Sequence, residues 1–409
     1  MFSGFRTGTF LTGERVRVYS ALLLIAYGAA IIGLLATSRG LLDAAGRPLG
    51  TDFANVYSAG QMVYDGRAAL AYDWPAHHAQ QKALFGKPDV PYYGMHYPPT
   101  FLFVAAALAM LPYLGALFLY QAVTLAAYAS IVRGIAGRTE AWLPALAFPA
   151  VFVNLTHGHN GFLTAALIGG ALLLLDRRPV LAGVLIGCLS YKPQFGMLIP
   201  LVLAATGRWR VFAAAGATVL ALAGLSWLAF GTEVWIAFRQ SLVLTQRTIL
   251  EDGTTGFFKM QSVFAALRLI GAPLALAYAA QAATSIALAA AVVMLWRSAS
   301  AFELKAAGLL LASLLATPYV MDYDLVVVAP AIAFLAVHGT REGFAPYELA
   351  AIAALFALPL VARPLAAATY VPLGPVVMLA AFALLCRRAD VLGALNAARL
   401  PAWPRRVGP

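Results

Sequence analysis

Charge is what this sequence has least of. Only 11% of its 409 residues are Asp, Glu, Lys or Arg, while 62% are hydrophobic. Soluble globular domains carry about 25% charged residues. Most of this chain therefore cannot face water, and a soluble enzyme or soluble binding module is excluded. Cysteine is nearly absent too. Cys188 and Cys386 both lie inside apolar runs, and they offer no disulfide framework or thiolate metal site to build on. No G-x-G-x-x-G follows a strand pattern. The formal charge of +11 does not point to nucleic acid, because no basic stripe is interleaved with aromatics. The Lys and Arg residues sit in short clusters between apolar runs, as cytoplasmic loops of membrane proteins do. No repeat at a fixed period and no similarity between halves stands out, which weakens a secondary-transporter reading.

What the chain does have is apolar runs of about 17–25 residues along its whole length, as membrane spans require. The first, Val18 to Ser38, is longer than a signal-peptide core and has no small-residue cleavage site, so it is read as retained. The connectors fall into two kinds. One is short and basic: "GERVRVYS", "VRGIAGR", "DRRP", "GRWR", "WRSAS", "HGTRE" and "CRRAD". The other is rich in His, Tyr, Pro, Asp and Asn: residues 39–97, "NLTHGHN", "SYKPQ", residues 231–272, "TPYVMDYD" and "RPLAAATYV". The two kinds alternate if residues 98–111 do not cross, since about 14 residues is short for a span. The expectation is an all-α, polytopic integral membrane protein. It is one domain over residues 1–409, with about twelve spans and both termini cytoplasmic. If residues 98–111 crossed, the count would be thirteen. The tail "LPAWPRRVGP" suggests no further domain.

The outer connectors carry the chemistry-bearing residues. In residues 39–97, Phe53, Val56, Tyr57, Gly60 and Tyr64 recur at helical spacing after Asp52. This predicts an amphipathic helix on the membrane surface starting near Thr51 or Asp52. Residues 74–86 read as a second short helix, with Pro75 in its first turn and His77 and His78 on a solvated face. Asp52 has two compatible roles, N-cap of the surface helix and a partly desolvated carboxylate that takes a proton near neutral pH. Asp65, Asp73 and Asp89 read as solvated turn residues. His157 and His159 are too few for a metal site, so hydrogen bonding to a ligand, or capping by Asn160, is the better reading. His96 has similar status. Asp322 and Asp324 open an apolar helix, where acids suit the helix dipole, or one of them holds a substrate hydroxyl. Residues 231–272 contain a second expected surface helix, "TEVWIAFRQSLVLTQRTIL", on which Arg239 and Arg247 suit anionic headgroups.

The order and spacing of "TDFANVYSAGQMVYDGRAALAYD", "HYPPTFLFVAAALAMLPY", "HGHNGFLTAALIGG", "SYKPQFGMLIP" and "TPYVMDYDLV" resembles glycosyltransferase family 87, membrane enzymes of the GT-C type. The resemblance runs from about residue 18 to 335. It implies a polyprenyl-phosphate-linked sugar donor, a glycolipid or glycan acceptor, and a general base in the first outer loop, matching Asp52. It implies inversion at the anomeric carbon, no nucleotide, no cofactor and no metal. Lys192, Arg239 and Arg247, with Lys259 as a further candidate, would hold the leaving phosphate. Tyr57, His96, Tyr97, His159, Asn160, Gln194, Asp322 and Asp324 would hold sugar or acceptor. Where mannosyltransferases of the family often carry histidine, this chain has Tyr323 and Asp324, so the sugar stays open among mannose, another hexose and a pentose. The expected location is a bacterial inner membrane with the site facing outward. The competing reading is a lipid or polysaccharide flippase or transporter. It would place ionisable residues within the spans, whereas the acids here gather in outer connectors.

Overall fold

In hydrocarbon every backbone amide must find its partner inside the chain, so apolar runs fold as helices. The computed structural model describes residues 2–391, and its regular structure there is helical. The C-terminal tail read above lies outside the described residues. Among the described residues six helices are long and apolar enough to cross a membrane: Gly13–Thr37, Tyr113–Ala136, Trp209–Phe230, Leu274–Arg297, Asp322–Glu342 and Glu348–Thr369. About twelve were expected. The other apolar runs fold as shorter pieces, because proline interrupts several of them. Trp142–Ala147 gives way to Pro149–His157 at Pro149. Between Pro179–Cys188 and Ile199–Ala205 the chain turns through Lys192 and Pro193.

The outer helices carry unpartnered apolar side chains: Leu22, Ile25 and Ile32 on Gly13–Thr37, Leu220 and Leu228 on Trp209–Phe230. Lipid is the environment that suits such surface. The centre is the helix Phe302–Leu315, buried without a break from Ala306 to Leu315. That is the pattern of a helix enclosed on every side.

The helix expected on the membrane surface exists, but it lies inside the protein. Thr51–Tyr64 starts where the spacing placed it, yet its residues from Phe53 to Gly60 are all buried. Phe53, Val56 and Tyr57 supply one apolar face. Ala54, Ser58 and Ala59 are small enough for neighbours to close over the others. Its main partner is Pro99–Ala109, which at about 16 Å is too short to cross a hydrocarbon core of about 30 Å. The two run antiparallel: the Tyr57 hydroxyl donates to the Leu111 carbonyl at 2.8 Å, and Gly60 lies on Ala105 so closely that any Cβ would overlap its carbonyl. Trp74–Phe85 forms as expected, capped by the Asp73 carboxylate accepting from the Ala76 amide. His77 is not solvated. It is fully buried, with Nε2 at 3.0 Å from the Asn55 carbonyl, and burial pushes its pKa down to about 4.

The two kinds of connector gather separately. The aromatic and polar ones meet one another: the Gln261 amide donates to the Val320 carbonyl, Asn154 to Tyr323, Lys192 to Asp324 and Arg363 to Asp322. The basic ones form their own contacts, Arg208 with Asp176, Arg341 with Glu303 and Arg388 with Glu348.

Candidate functional site

The site is built around the start of the Thr51–Tyr64 helix. Gly50, not Asp52, occupies the cap position, in the left-handed region at φ 70°. It is pinned there by the Tyr113 hydroxyl, which donates to the Leu49 carbonyl at 2.7 Å. Gly158 of "HGHNG", also left-handed at φ 62°, packs directly on it; a Cβ at Gly158 would sit 3.0 Å from the Gly50 Cα and 2.8 Å from the Phe53 Cβ. Two glycines thus let the turn between two middle helices press against the first turn of the Asp52 helix. Asp52 is left free of capping. Its Oδ2 is shut off from solvent and has no hydrogen-bond partner. Burial is the largest influence on it and raises its pKa to about 6; the His157 charge opposes this, Asp322 adds to it, and Lys192 and Lys259 oppose it. A carboxyl poised there exchanges its proton near neutral pH.

Opposite Asp52 stands Asp322–Tyr323–Asp324, the first turn of a short 3-10 stretch that continues into Val328–Glu342. Both acids lie in the first turn as expected, and both are buried. Asp324 accepts from the Met321 amide at 3.0 Å and holds the Lys192 ammonium at 2.7 Å. Asp322 accepts from Arg363 at 2.9 Å. The Asp-x-Asp spacing is one that can hold a divalent cation, but each carboxylate is already matched to a cationic side chain. Among the described residues no three His, Cys, Asp or Glu side chains converge as metal ligands.

The third wall is the "HGHNG" turn. The His159 ring stacks on Tyr323 with centroids 3.5 Å apart, and its Nε2 lies 3.4 Å from the Tyr97 hydroxyl. Asn154 ties this wall to the second: Nδ2 donates to the Tyr323 carbonyl and Oδ1 accepts from the Gly161 amide. His159 is buried and next to Lys192, so its pKa falls well below the usual histidine range and it is neutral. His159 Nδ1 and Asn160 Oδ1 are buried without partners. Buried polar atoms are normally hydrogen-bonded, so these two suit ligand hydroxyls. Asn160 precedes Gly161–Leu174 without a side-chain cap bond.

The structure brings Asp52, Lys192, Asp322, Asp324, Tyr97, His159 and Asn160 into one cluster. His96 lies beside it, with Nδ1 3.0 Å from the Thr245 hydroxyl and its ring edge-on to Trp74. Gln194 is part-buried next to Lys192, in the turn Pro193–Gly196. Tyr57 is not in the cluster. Its hydroxyl is used on Leu111 and its ring packs on Tyr113. Arg239 and Arg247 are exposed on Thr232–Thr245 and the turn that follows, with no hydrogen bond or ion pair to the cluster. The spacing of "TEVWIAFRQ" is that of a helix but says nothing of where its arginines face.

Four members were missed or left uncommitted by the sequence reading. His157 donates from Nδ1 to the Val153 carbonyl, at 2.9 Å, and its charge acts on Asp52. Tyr323 lies under His159 and 5.6 Å from the Lys192 ammonium. Arg363 enters from the Glu348–Thr369 helix. Lys259 has no carboxylate in ion-pair contact among the described residues; partial burial and the Arg363 charge push its pKa down, while Asp322 and Asp52 pull it up. Arg363 and Lys259 come from connectors already marked as outer, but only the fold shows which cations are spoken for.

The family model for glycosyltransferase family 87 matches residues 95–318, more than half of the chain. The chain belongs to glycosyltransferase family 87. The match takes in Tyr97, "HGHNG", Lys192 and Lys259, and stops just before Asp322. It also begins after Asp52, so the placement of that carboxylate rests on the geometry above. No curated protein and no solved structure matches the chain. Membership makes this family 87 protein a membrane glycosyltransferase, and a transporter reading gives way to it.

Proposed function

We propose that this family 87 enzyme moves a sugar from a polyprenyl-phosphate donor to a hydroxyl of a cell-envelope glycolipid or glycan, with inversion and with Asp52 as general base. The sugar stays open among mannose, another hexose and a pentose. The observation that carries the reading is the Asp52 carboxyl: part-buried, with Oδ2 secluded and unpartnered, poised near pH 6, and close to the charges of Lys192 and Lys259. In the step, the acceptor oxygen attacks the anomeric carbon and its proton passes to Asp52. The bond from that carbon to the phosphate oxygen breaks, and the electron pair leaves with the lipid phosphate. Lys259, with Arg363 beside it, takes up the charge that appears on the phosphate. Lys192, proposed from the sequence for that role, instead keeps Asp324 and the Tyr323 ring in place. His159 Nδ1 and Asn160 Oδ1 hold sugar hydroxyls. We place the enzyme in a bacterial inner membrane with about twelve crossings, the cluster facing outward and both termini cytoplasmic. The segregation of basic from aromatic connectors supports that orientation.

The test is transfer from a panel of radiolabelled polyprenyl-phosphate sugars into membrane lipids by wild type, Asp52→Asn and Lys259→Ala. One donor should be used. Asp52→Asn should abolish its transfer with the protein still folded. Lys259→Ala should lower kcat by about 100-fold, the scale for losing one stabiliser of developing charge. An Asp52→Asn enzyme that transfers as fast as wild type overturns the assignment of the base.

A further inference from the structure

Beside the cluster, lined by neither Lys259 nor Arg363, lies a cavity of about 300 Å³ that the mechanism leaves unused. One wall is apolar: Ala30 and Leu34 from the Gly13–Thr37 helix, and Phe152 from Pro149–His157. Ala30 is exposed on that helix, so this wall opens sideways toward lipid. The inner end is polar. Thr51, the neighbour of Asp52, lies there with Thr156 and His157. The Thr156 hydroxyl gives its proton to the Phe152 carbonyl and His157 gives its Nδ1 proton to Val153. Thr156 therefore presents its lone pairs to an incoming hydroxyl, and His157 keeps Nε2 for a second hydrogen bond.

The rim decides what kind of head group fits. Arg47 is the rim cation, and it is matched: Nε and NH2 lie 3.0 and 2.9 Å from Asp43 Oδ2. Asp43 Oδ1 in turn accepts the Ala45 and Arg47 amides. The cavity thus offers hydrogen-bond partners for hydroxyls and an ion-paired Arg47, and Lys259 is not among the residues that line it. A phosphate gains little here; an uncharged polyhydroxyl group on an alkyl tail matches both ends. We infer that this lateral cavity is the acceptor site, taking a membrane-borne glycoside with an uncharged head, its tail along Ala30, Leu34 and Phe152 and its hydroxyls against Thr156 and His157 beside Asp52. The inference rests on the proposed transferase reading for its purpose, but its binding test does not.

The experiment uses the full chain in lipid nanodiscs and two photoreactive probes, octyl mannoside and octyl phosphate, each with a diazirine in the alkyl chain. Mass spectrometry maps the labelled residues. The mannoside probe should label Ala30, Leu34 or Phe152, excess octyl mannoside should compete, and Leu34→Trp should cut labelling at least tenfold. Ala30→Trp, at an exposed position, repeats the block if Leu34→Trp does not fold. Labelling that ignores both tryptophans, falls elsewhere, or is stronger with the phosphate probe overturns the inference. Labelling at this cavity without sugar transfer from any donor leaves the glycoside site standing and removes the polyprenyl-phosphate donor reading. Transfer with no labelling here does the reverse.

Discussion

Replacing Asp52 by asparagine separates a residue kept for chemistry from one kept for structure. The rise from 3.8 to about 6 means that the folded state disfavours the ionised carboxylate by about 3 kcal/mol, at about 1.4 kcal/mol per unit. The sign follows from the direction of the shift. The folded pKa lies above the unfolded one, so the favourable contribution is complete below the unfolded value and is lost as pH rises through about 6. At pH 8 the wild type bears the whole cost and Asp52→Asn bears none of it. At about pH 5 the wild-type group is mostly protonated, and roughly half the difference is gone. The asparagine amide finds no partner where Oδ2 has none, which trims the gain at both pH values equally. For a chain of this size about 1–2 °C accompanies each kcal/mol. The variant should therefore melt a few degrees above wild type at pH 8, about half that at pH 5, and transfer no sugar at either. Scanning fluorimetry in detergent beside the transfer assay measures both. A variant that melts below wild type at pH 8, or a difference independent of pH, refutes the argument, because Asp52 would then be a stabilising residue.

Three further outcomes follow from the same geometry. The pH–rate profile of transfer should fall tenfold per unit below an apparent pKa near 6, as Asp52 takes up its proton; a profile flat to about pH 4.5 would assign the base elsewhere. Lys192→Met strands Asp324 in a buried position and should cost about 3–5 kcal/mol, visible as lost folded protein in gel filtration. Adding Asp324→Asn should recover most of it, since the side-chain oxygen can still accept from the Met321 amide; recovery of fold without recovery of transfer would show that the pair also serves chemistry. Gly158→Ala puts a Cβ against Gly50 and Phe53 at positive φ and should cost more than the ~1 kcal/mol of the backbone term alone. Because it pushes on the first turn that carries Asp52, kcat should fall more than donor KM rises.

How much of this was readable beforehand depends on the range of the signal. Helix formation is local, so Thr51–Tyr64 began where the spacing placed it and Trp74–Phe85 carried Pro75 in its first turn. The division of connectors into basic and aromatic kinds was likewise visible, because charge asymmetry is imposed segment by segment. Burial is not local. Phe53, Val56 and Tyr57 alternate with small residues, and a surface helix and an enclosed one differ in that pattern only by what packs on Ala54, Ser58 and Ala59. The segment of its partner, residues 98–111, reads as too short to cross, yet nothing in its sequence says that it lies on Gly60. The same distance explains the cations. Lys192, Arg239, Arg247 and Lys259 are alike as residues on outer connectors; what separates them is whether a carboxylate from more than a hundred residues away arrives, as Asp324 does for Lys192.

That sorting also bears on why the cluster holds so many charges. Three carboxylates, Asp52, Asp322 and Asp324, face three cations, Lys192, Lys259 and Arg363, around the site. Two pairs close on themselves, leaving one acid and one base apart. A buried ion pair adds little net stability but fixes geometry when its hydrogen bonds are complete. Lys192–Asp324, buried on both sides, and Arg363–Asp322, whose arginine is part-exposed, hold the Tyr323 turn in register, so the two unpaired charges, Asp52 and Lys259, are kept from collapsing onto the wrong partner. The uncommitted acid meets a hydroxyl proton and the uncommitted cation meets a leaving phosphate, which is the separation that a one-step displacement needs. A variant that frees a second acid, such as Arg363→Gln, should therefore do more than weaken binding. It offers Lys259 a carboxylate at Asp322, and donor KM should rise well beyond what loss of one surface cation gives; an unchanged donor KM would show that the pairing at Arg363 is idle.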